Sequence, residues 1–340
     1  MSDIELKPLT KKDFASDQLV RWCPGCGDYS ILSAMQLALP ELGVRKEEVV
    51  FVSGIGCAAR FPYYMNTYGF HTIHGRGPAV ATGVKLSNPK LSVWEIQGDG
   101  DALAIGGNHF IHALRRNIDI NILMFNNEIY GLTKGQYSPT SRPGLVTKST
   151  PFGVIDRPFH AAELVIGAQG TFYARTVDTN PKGMAEIFIH AAKHVGTSMV
   201  EILQNCVIFN DKTHSAITSK ENRDDYQLHL EQGKPMLFGK DNNKGIRLNG
   251  LKLEVVEIGK DGITESDILV HNAFEEDPTL HLMLARMSPP KFPMALGVIR
   301  EVKSTTYDEL VETQYQQSVQ NAKFTTMDEL LNSGETWEVK

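Results

Sequence analysis

LSVWEIQGDGDALAIGGNHFIHALRRNIDINILMFNNEIYG, residues 91–131, holds two apolar runs, each ending in a short polar signature. LSVWEI runs into Gly98-Asp99-Gly100, and INILMF runs into Asn126-Asn127. HFIHALRRN between them has helical apolar spacing. The 25 residues separating Gly100 from Asn126 suffice for one helix and one strand. The reading is strand, helix, strand, which predicts a parallel sheet with Asp99 and Asn126-Asn127 on neighbouring strand ends. Ligands of such sheets sit beyond the carboxyl ends of the strands. A carboxylate, an amide oxygen and a backbone carbonyl form a hard oxygen set suited to Mg²⁺ on a diphosphate. Either signature alone marks an ordinary turn; the pair, at this spacing, points to a site.

Outward from this unit the alternation continues. DYSILSAMQLALPEL has helical spacing through Ile31, Leu32, Met35 and Leu39, with a break expected at Pro40. EEVVFVSGIG reads as a buried strand ending in a glycine turn, and PAVATGVKLSN as a small-residue helix. GMAEIFIHAAKHV and SMVEILQNC add a helix and a strand. From about residue 210 polar and charged residues increase, and IRLNGLKLEVVEIG predicts a hairpin around Asn249-Gly250. The expected fold is a doubly wound α/β domain over 21–215, with an N-terminal arm at 1–20 and a C-terminal extension at 216–340.

Composition narrows the function classes. With 34 basic and 40 acidic residues, net charge −6, a nucleic-acid binder or polybasic membrane surface is disfavoured. No run of 18 apolar residues predicts a membrane span, and the N-terminus lacks an apolar signal core. The expected location is the cytoplasm, where cysteines bind metal or do chemistry more often than they pair.

The chain has four cysteines, Cys23, Cys26, Cys57 and Cys206. Four thiolates are the ligand set of a [4Fe–4S] cluster and equally of a Cys₄ zinc site. A CPGC redox pair opening a helix is a third reading, one that leaves Cys57 and Cys206 unexplained. Taken singly, those two would pass for inert buried thiols.

Six stretches carry a resemblance: CPGCGDYSIL, SGIGCAAR, HTIHGRGPAVATGVKLSNP, QGDGDALAIGGNHFIHALRRNIDI, FNNEIYGLTKGQYSPTS and QNCVIFND, in order over roughly residues 20–215. The glycine–aspartate–glycine and double-asparagine pattern is similar to the thiamine-diphosphate fingerprint. The set as a whole resembles the beta subunit of 2-oxoacid:ferredoxin oxidoreductases. The resemblance implies Mg²⁺ held by Asp99, Asn127 and the carbonyl of Ile129, and one [4Fe–4S] cluster on the four cysteines. It nominates Ile55, Gly56, Cys57, Ala58, His74, Gly75 and Arg76 as thiamine contacts, with Gly100, Asp101, Gly131 and Leu132 along the diphosphate. His74 is either a cofactor or substrate partner or a structural loop histidine. His109 and His112 read as surface or packing residues, and Glu128 as a solvated turn residue.

YGLTKGQYSPTSRPG (130–144) is most like the 2-oxoglutarate-using branch. There Lys134 is a candidate partner for a distal carboxylate, against a solvated loop lysine; Arg60 and Arg142 are weaker candidates. The implied reaction is coenzyme-A-dependent oxidative decarboxylation of 2-oxoglutarate, with ferredoxin as acceptor and a separate alpha subunit supplying the glutamate that activates thiamine. Pyruvate or broad-range 2-oxoacid use, a non-redox thiamine lyase with structural zinc, and a cluster carrier without thiamine are the alternatives.

Overall fold

The computed structural model describes residues 8–339. Eight strands form one sheet in the order β2-β1-β3-β4-β6-β5-β11-β7. In chain order the strands are β1 (Val49–Ser53), β2 (Tyr68–His71), β3 (Ser92–Gly98), β4 (Asn121–Asn126), β5 (Phe172–Val177), β6 (Ser198–Leu203), β7 (Gln227–His229), β8 (Leu237–Phe238), β9 (Lys244–Asn249), β10 (Lys252–Glu257) and β11 (Met294–Glu301). The first six are parallel, so their carboxyl ends share one edge. β11 lies antiparallel to β5 and carries β7 on its far side.

Helices cover both faces, as a parallel sheet requires. Helices α1 (Asp28–Leu42) and α5 (Pro181–Lys193) pack on one face through Ile31, Met35, Leu39, Met184 and Phe188. On the other face α2 (Gly77–Ser87), α3 (Gly107–Arg116) and α4 (Ala161–Gly167) bring Ala81, Phe110, Leu114 and Val165. Successive strand residues alternate between the two cores: in β4, Ile122 and Met124 join one and Leu123 and Phe125 the other. Both sets are apolar, hence the near-continuous hydrophobic runs of the sequence.

Two expectations need correction, and two strands were not expected at all. Helix α1 is not broken at Pro40: it runs on to Leu42 and stops at Gly43, whose φ of 68° supplies the left-handed cap. A proline so near the end removes one hydrogen bond that the last turn can spare. The hairpin register pairs Asn249 with Lys252, so the turn is Gly250-Leu251, one residue on from the expected centre. β2 and β5 went unread. β2 is an edge strand with every residue exposed, and FYARTV of β5 hides a buried Arg175 that its ion pair with Glu201 makes tolerable.

The chain beyond residue 215 shares this architecture. β7 and β11 extend the main sheet, while β8–β10 form a small antiparallel sheet. Met236, Phe238, Ile246, Leu284 and Ile299 bury into the same core as α2–α4. At the other end Phe14, within the stretch expected to be an arm, is fully buried.

His281, fully buried in the helix Thr279–Ala285, makes this region acid-sensitive. Its Nε2 donates to the Asn272 carbonyl at 2.9 Å and its Nδ1 accepts from Arg300 Nη1 at 3.1 Å. A second proton would face the guanidinium. Burial and then Arg300 push its pKa down, against the pull of the Asn272 hydrogen bond; burial does the same to His194 and His271. The unfolded chain takes up these protons near pH ~6.5 and the folded chain only at lower pH, so stability is lost as pH falls below the unfolded value. The thermal midpoint is expected to drop between about pH 7.5 and 5.5, and less steeply in His281→Asn. Parallel midpoint curves for the two proteins would contradict this.

Candidate active site and cluster site

At the carboxyl edge of the sheet, β3 and β4 pair Gly98 with Phe125, which sets the two following residues, Asp99 and Asn126, side by side. Asp99 is 2% exposed. Its Oδ2 accepts from Ser138 Oγ at 2.5 Å and Thr140 Oγ1 at 2.6 Å. Burial nevertheless raises its pKa to about 6, the two hydroxyls working the other way. A bound cation would favour the charged form and pull in the opposite direction to burial. Asn127 Oδ1 accepts from the Ile129 backbone N–H at 3.1 Å, and its Nδ2 donates to Gln204 Oε1 at 2.9 Å. Asp99, Asn127 and Ile129 line one cavity of about 720 Å³.

Three loops close this cavity, and Asp101 ties two of them together. Its Oδ1 accepts from the backbone N–H of Gly75 at 2.6 Å and of Ile55 at 3.3 Å, and lies 2.6 Å from His74 Nδ1. The glycines are steric necessities: a Cβ on Gly54 would sit 1.9 Å from Asp101 Oδ2, and one on Gly100 2.2 Å from the Tyr130 ring. Tyr130 in turn donates its hydroxyl to the Gly100 carbonyl at 3.0 Å.

Next to this cavity lies a second, of about 260 Å³, lined by all four cysteines. Cys23-Pro24-Gly25-Cys26 forms a turn in which the Cys26 N–H donates to the Cys23 carbonyl at 3.0 Å, with Gly25 at φ 82°. Proline then glycine at the turn centre is the type II pattern. Cys57 follows the β1 turn and is anchored by Trp22 Nε1, which donates to its carbonyl at 2.7 Å. Cys206 follows β6, and a Cβ on Gly131 would lie 3.4 Å from Cys57 Sγ and 3.6 Å from Cys206 Sγ. Burial, then Asp28, then the neighbouring thiols push Cys57 up to about 12, and Cys26 is raised by burial and Asp28 too. Cys26 and Cys57 are thereby held as thiols unless a cationic centre takes them as thiolates. All four are free of disulfides. Among the described residues no compact group of three or more His, Cys, Asp and Glu side chains stands out as a metal site; the cysteine set is instead recognised by the cavity it lines. Asp28, Cys57, Asn127, Gly131, Leu132 and Gln204 form the wall common to both cavities.

Comparison with known proteins agrees with this arrangement. The family model described as "Thiamine pyrophosphate enzyme, C-terminal TPP binding domain" matches residues 54–202. The "2-oxoglutarate oxidoreductase subunit KorB" of Mycobacterium tuberculosis is 49% identical over 336 residues, 98% of this chain and 89% of that protein. The chain belongs to the 2-oxoacid:ferredoxin oxidoreductase beta subunits. A "2-oxoglutarate synthase subunit KorB" from Methanothermobacter thermautotrophicus is 36% identical over 82% of this beta subunit and 91% of its own length. Among solved structures, the "2-oxoglutarate:ferredoxin oxidoreductase from Magnetococcus marinus with 2-oxoglutarate, coenzyme A and succinyl-CoA bound" superposes with a TM-score of 0.77 at 28% identity, over 98% of both chains.

Within this beta subunit most nominated cofactor residues line the larger cavity: Ile55, Gly56, Cys57, Ala58, His74, Gly100, Asp101, Gly131 and Leu132. Gly75 and Arg76 stand outside it. Gly75 contributes its N–H to Asp101, and Arg76 caps α2 and contacts His109. Lys134, at φ 75°, and Arg60 line the cysteine cavity rather than the larger one. Arg142 is engaged on Glu128, at 2.8 Å. Glu128 is therefore not a solvated turn residue: its side chain is 13% exposed and also accepts from Thr213 at 2.8 Å. Sequence reasoning missed Ser138 and Thr140 altogether. Their stretch YSPTS was noted, but nothing in it signals that two hydroxyls reach back about 40 residues to Asp99.

Proposed function

We propose that this chain is the thiamine-diphosphate- and cluster-bearing subunit of an enzyme converting 2-oxoglutarate and coenzyme A to succinyl-CoA and CO₂, with electrons passing through a [4Fe–4S] cluster to ferredoxin. The observation that carries this reading is the wall shared by the two cavities. Thiamine diphosphate, when bound, supplies a carbanion and accepts the electrons left by departing CO₂. A four-cysteine site one wall away suits an electron acceptor better than a structural zinc.

Asp99, Asn127 and the Ile129 carbonyl would hold Mg²⁺ on the diphosphate. Ser138 and Thr140 fix the carboxylate's orientation before the metal arrives. His74 lines the same cavity, with Nδ1 2.6 Å from Asp101 Oδ1. Gln204 spans the two sites, taking a hydrogen bond from Asn127 while its own Nε2 lies 3.4 Å from Cys26 Sγ. The four free cysteines accord with a cytoplasmic location; no helix among the described residues is long and apolar enough to cross a membrane.

The activating glutamate is assigned to a partner alpha subunit, which makes the active site an interface. The chain alone, reconstituted with cluster, Mg²⁺ and thiamine diphosphate, is expected to form acyl-CoA only at background rate. Turnover matching the co-expressed complex would place the activating carboxylate in this chain. The test of substrate is a 2-oxoacid panel on the complete complex with a viologen acceptor: 2-oxoglutarate should give the highest kcat/KM, and an equal value for pyruvate would make the enzyme broad-range. Lys134 is exposed and lines only the cysteine cavity, next to the shared Gly131-Leu132 wall; its assignment to the substrate's distal carboxylate rests on the resemblance of 130–144 to the 2-oxoglutarate-using branch. Lys134→Ala should lower kcat/KM for 2-oxoglutarate more than for 2-oxobutyrate. Equal losses would mean a general loop defect.

A further inference from the structure

Asn126, first of the asparagine pair, turns away from the thiamine cavity and into a buried polar chain. Its Nδ2 donates to Glu201 Oε1 at 2.8 Å. Its Oδ1 lies 3.0 Å from Thr140 Oγ1, the hydroxyl that is 2.6 Å from Asp99 Oδ2. On the far side, Glu201 Oε2 accepts from Arg175 Nε at 2.7 Å and from the Tyr173 hydroxyl at 2.5 Å. The Arg175 guanidinium then donates to the Ala285 carbonyl, at 3.4 Å from Nη1 and 3.3 Å from Nη2. Glu201 and Arg175 are 4% and 5% exposed.

A buried ion pair contributes little to net stability, since desolvation offsets most of its attraction. What it does supply here is direction. Burial works against the Glu201 charge, yet Arg175 and Tyr173 hold its carboxyl below the usual range. An ionised carboxylate only accepts, so Asn126 must turn its NH₂ toward Glu201 and its oxygen toward Thr140. Thr140 has one hydroxyl proton and two facing acceptors, Asp99 Oδ2 and Asn126 Oδ1, so by turning the Asn126 oxygen toward Thr140, Glu201 sets how that proton is shared with Asp99. Ser138 completes the grip, 3.2 Å from Thr140 Oγ1.

We propose that Glu201 is a positioning residue for the metal clamp: through Asn126 and Thr140 it sets the orientation of Asp99, and through Arg175 it couples that orientation to the C-terminal third at Ala285. The proposal rests on the reading of Asp99 as a metal ligand and goes beyond it, because none of Glu201, Arg175 and Thr140 touches the cofactor in that reading.

The test is the Mg²⁺ dependence of thiamine diphosphate binding, followed by intrinsic fluorescence on the assembled complex. Thr140→Val is expected to raise the half-saturating Mg²⁺ about tenfold, the effect of losing a hydrogen bond to a charged group, and Thr140→Ser to restore it. Glu201→Gln, whose amide NH₂ would face Asn126 and so let Asn126 turn its own NH₂ to Thr140, should shift it the other way by leaving the Thr140 proton to Asp99 alone, and the double variant should match Thr140→Val alone, because both act along one chain. Unchanged half-saturation in Glu201→Gln with a lowered thermal midpoint would make the network structural only and overturn the proposal. So would effects that multiply in the double variant. Should Glu201→Gln fail to fold, Asn126→Ala, which cuts the link between Glu201 and Thr140, takes its place, and a half-saturating Mg²⁺ equal to the parent's would overturn the proposal. Asp99→Ala separates the underlying reading: unchanged Mg²⁺ dependence there would remove the metal site itself.

Discussion

Asp99→Ala is expected to weaken Mg²⁺-dependent thiamine diphosphate binding by roughly 100-fold or more, since loss of an outer-shell partner alone costs about 10–100-fold. The carboxylate is the one anionic donor of the proposed set, beside two neutral oxygens from Asn127 and Ile129. Removing it takes away the acceptor that the Ser138 and Thr140 hydroxyls reach at 2.5 and 2.6 Å in the parent protein. A calorimetric titration checks this. Affinity within a few-fold of the parent protein would exclude Asp99 from the clamp. The fold should survive, because Asp99 lies after β3 ends and its side chain joins neither apolar core.

Cys206→Ser is expected to lose the cluster and with it all acceptor-linked turnover. Of the four cysteines Cys206 is the furthest along the chain from the other three, and it follows the end of β6, which the parallel pairing of β4 and β6 holds in place. A serine hydroxyl in the same place is a much poorer soft-metal donor. Iron and sulfide content of the anaerobically purified complex measures the outcome. Full iron occupancy with full dye reduction would take Cys206 out of the ligand set. Thiamine diphosphate binding should persist in this variant, because Cys206 lines only the smaller cavity.

Both predictions start from motifs that can be read in the chain, and it is instructive why others could not be. The residues 91–131 disclose the strand ends because each is an apolar run stopped by glycine or asparagine, and both faces of those strands are buried. β5 escaped because an arginine and a threonine interrupt its pattern, and only the partner Glu201 on β6, 26 residues away, explains how Arg175 can be inside. Asp101 was expected along the diphosphate. It lines that cavity, yet its Oδ1 serves Ile55, 46 residues upstream, and Gly75, 26 residues upstream. Lys134 looked adjacent to the thiamine site by sequence order, but the turn after Gly131 carries it to the cysteine side. Periodicity reports burial along one element. It says nothing of a hydrogen bond whose partner arrives from a distant loop, and the second layer of this site is built from such bonds.

The central claim is that electrons from substrate reach a cluster held by these four cysteines. Electron paramagnetic resonance on the complete complex, mixed anaerobically with 2-oxoglutarate and coenzyme A in the absence of ferredoxin, tests it most directly. The account predicts that substrate brings up the signal of a reduced [4Fe–4S] cluster, and that the Cys206→Ser complex gives none. Undiminished succinyl-CoA formation by a complex whose four cysteines hold zinc, with no substrate-reducible iron signal from this chain, would contradict it.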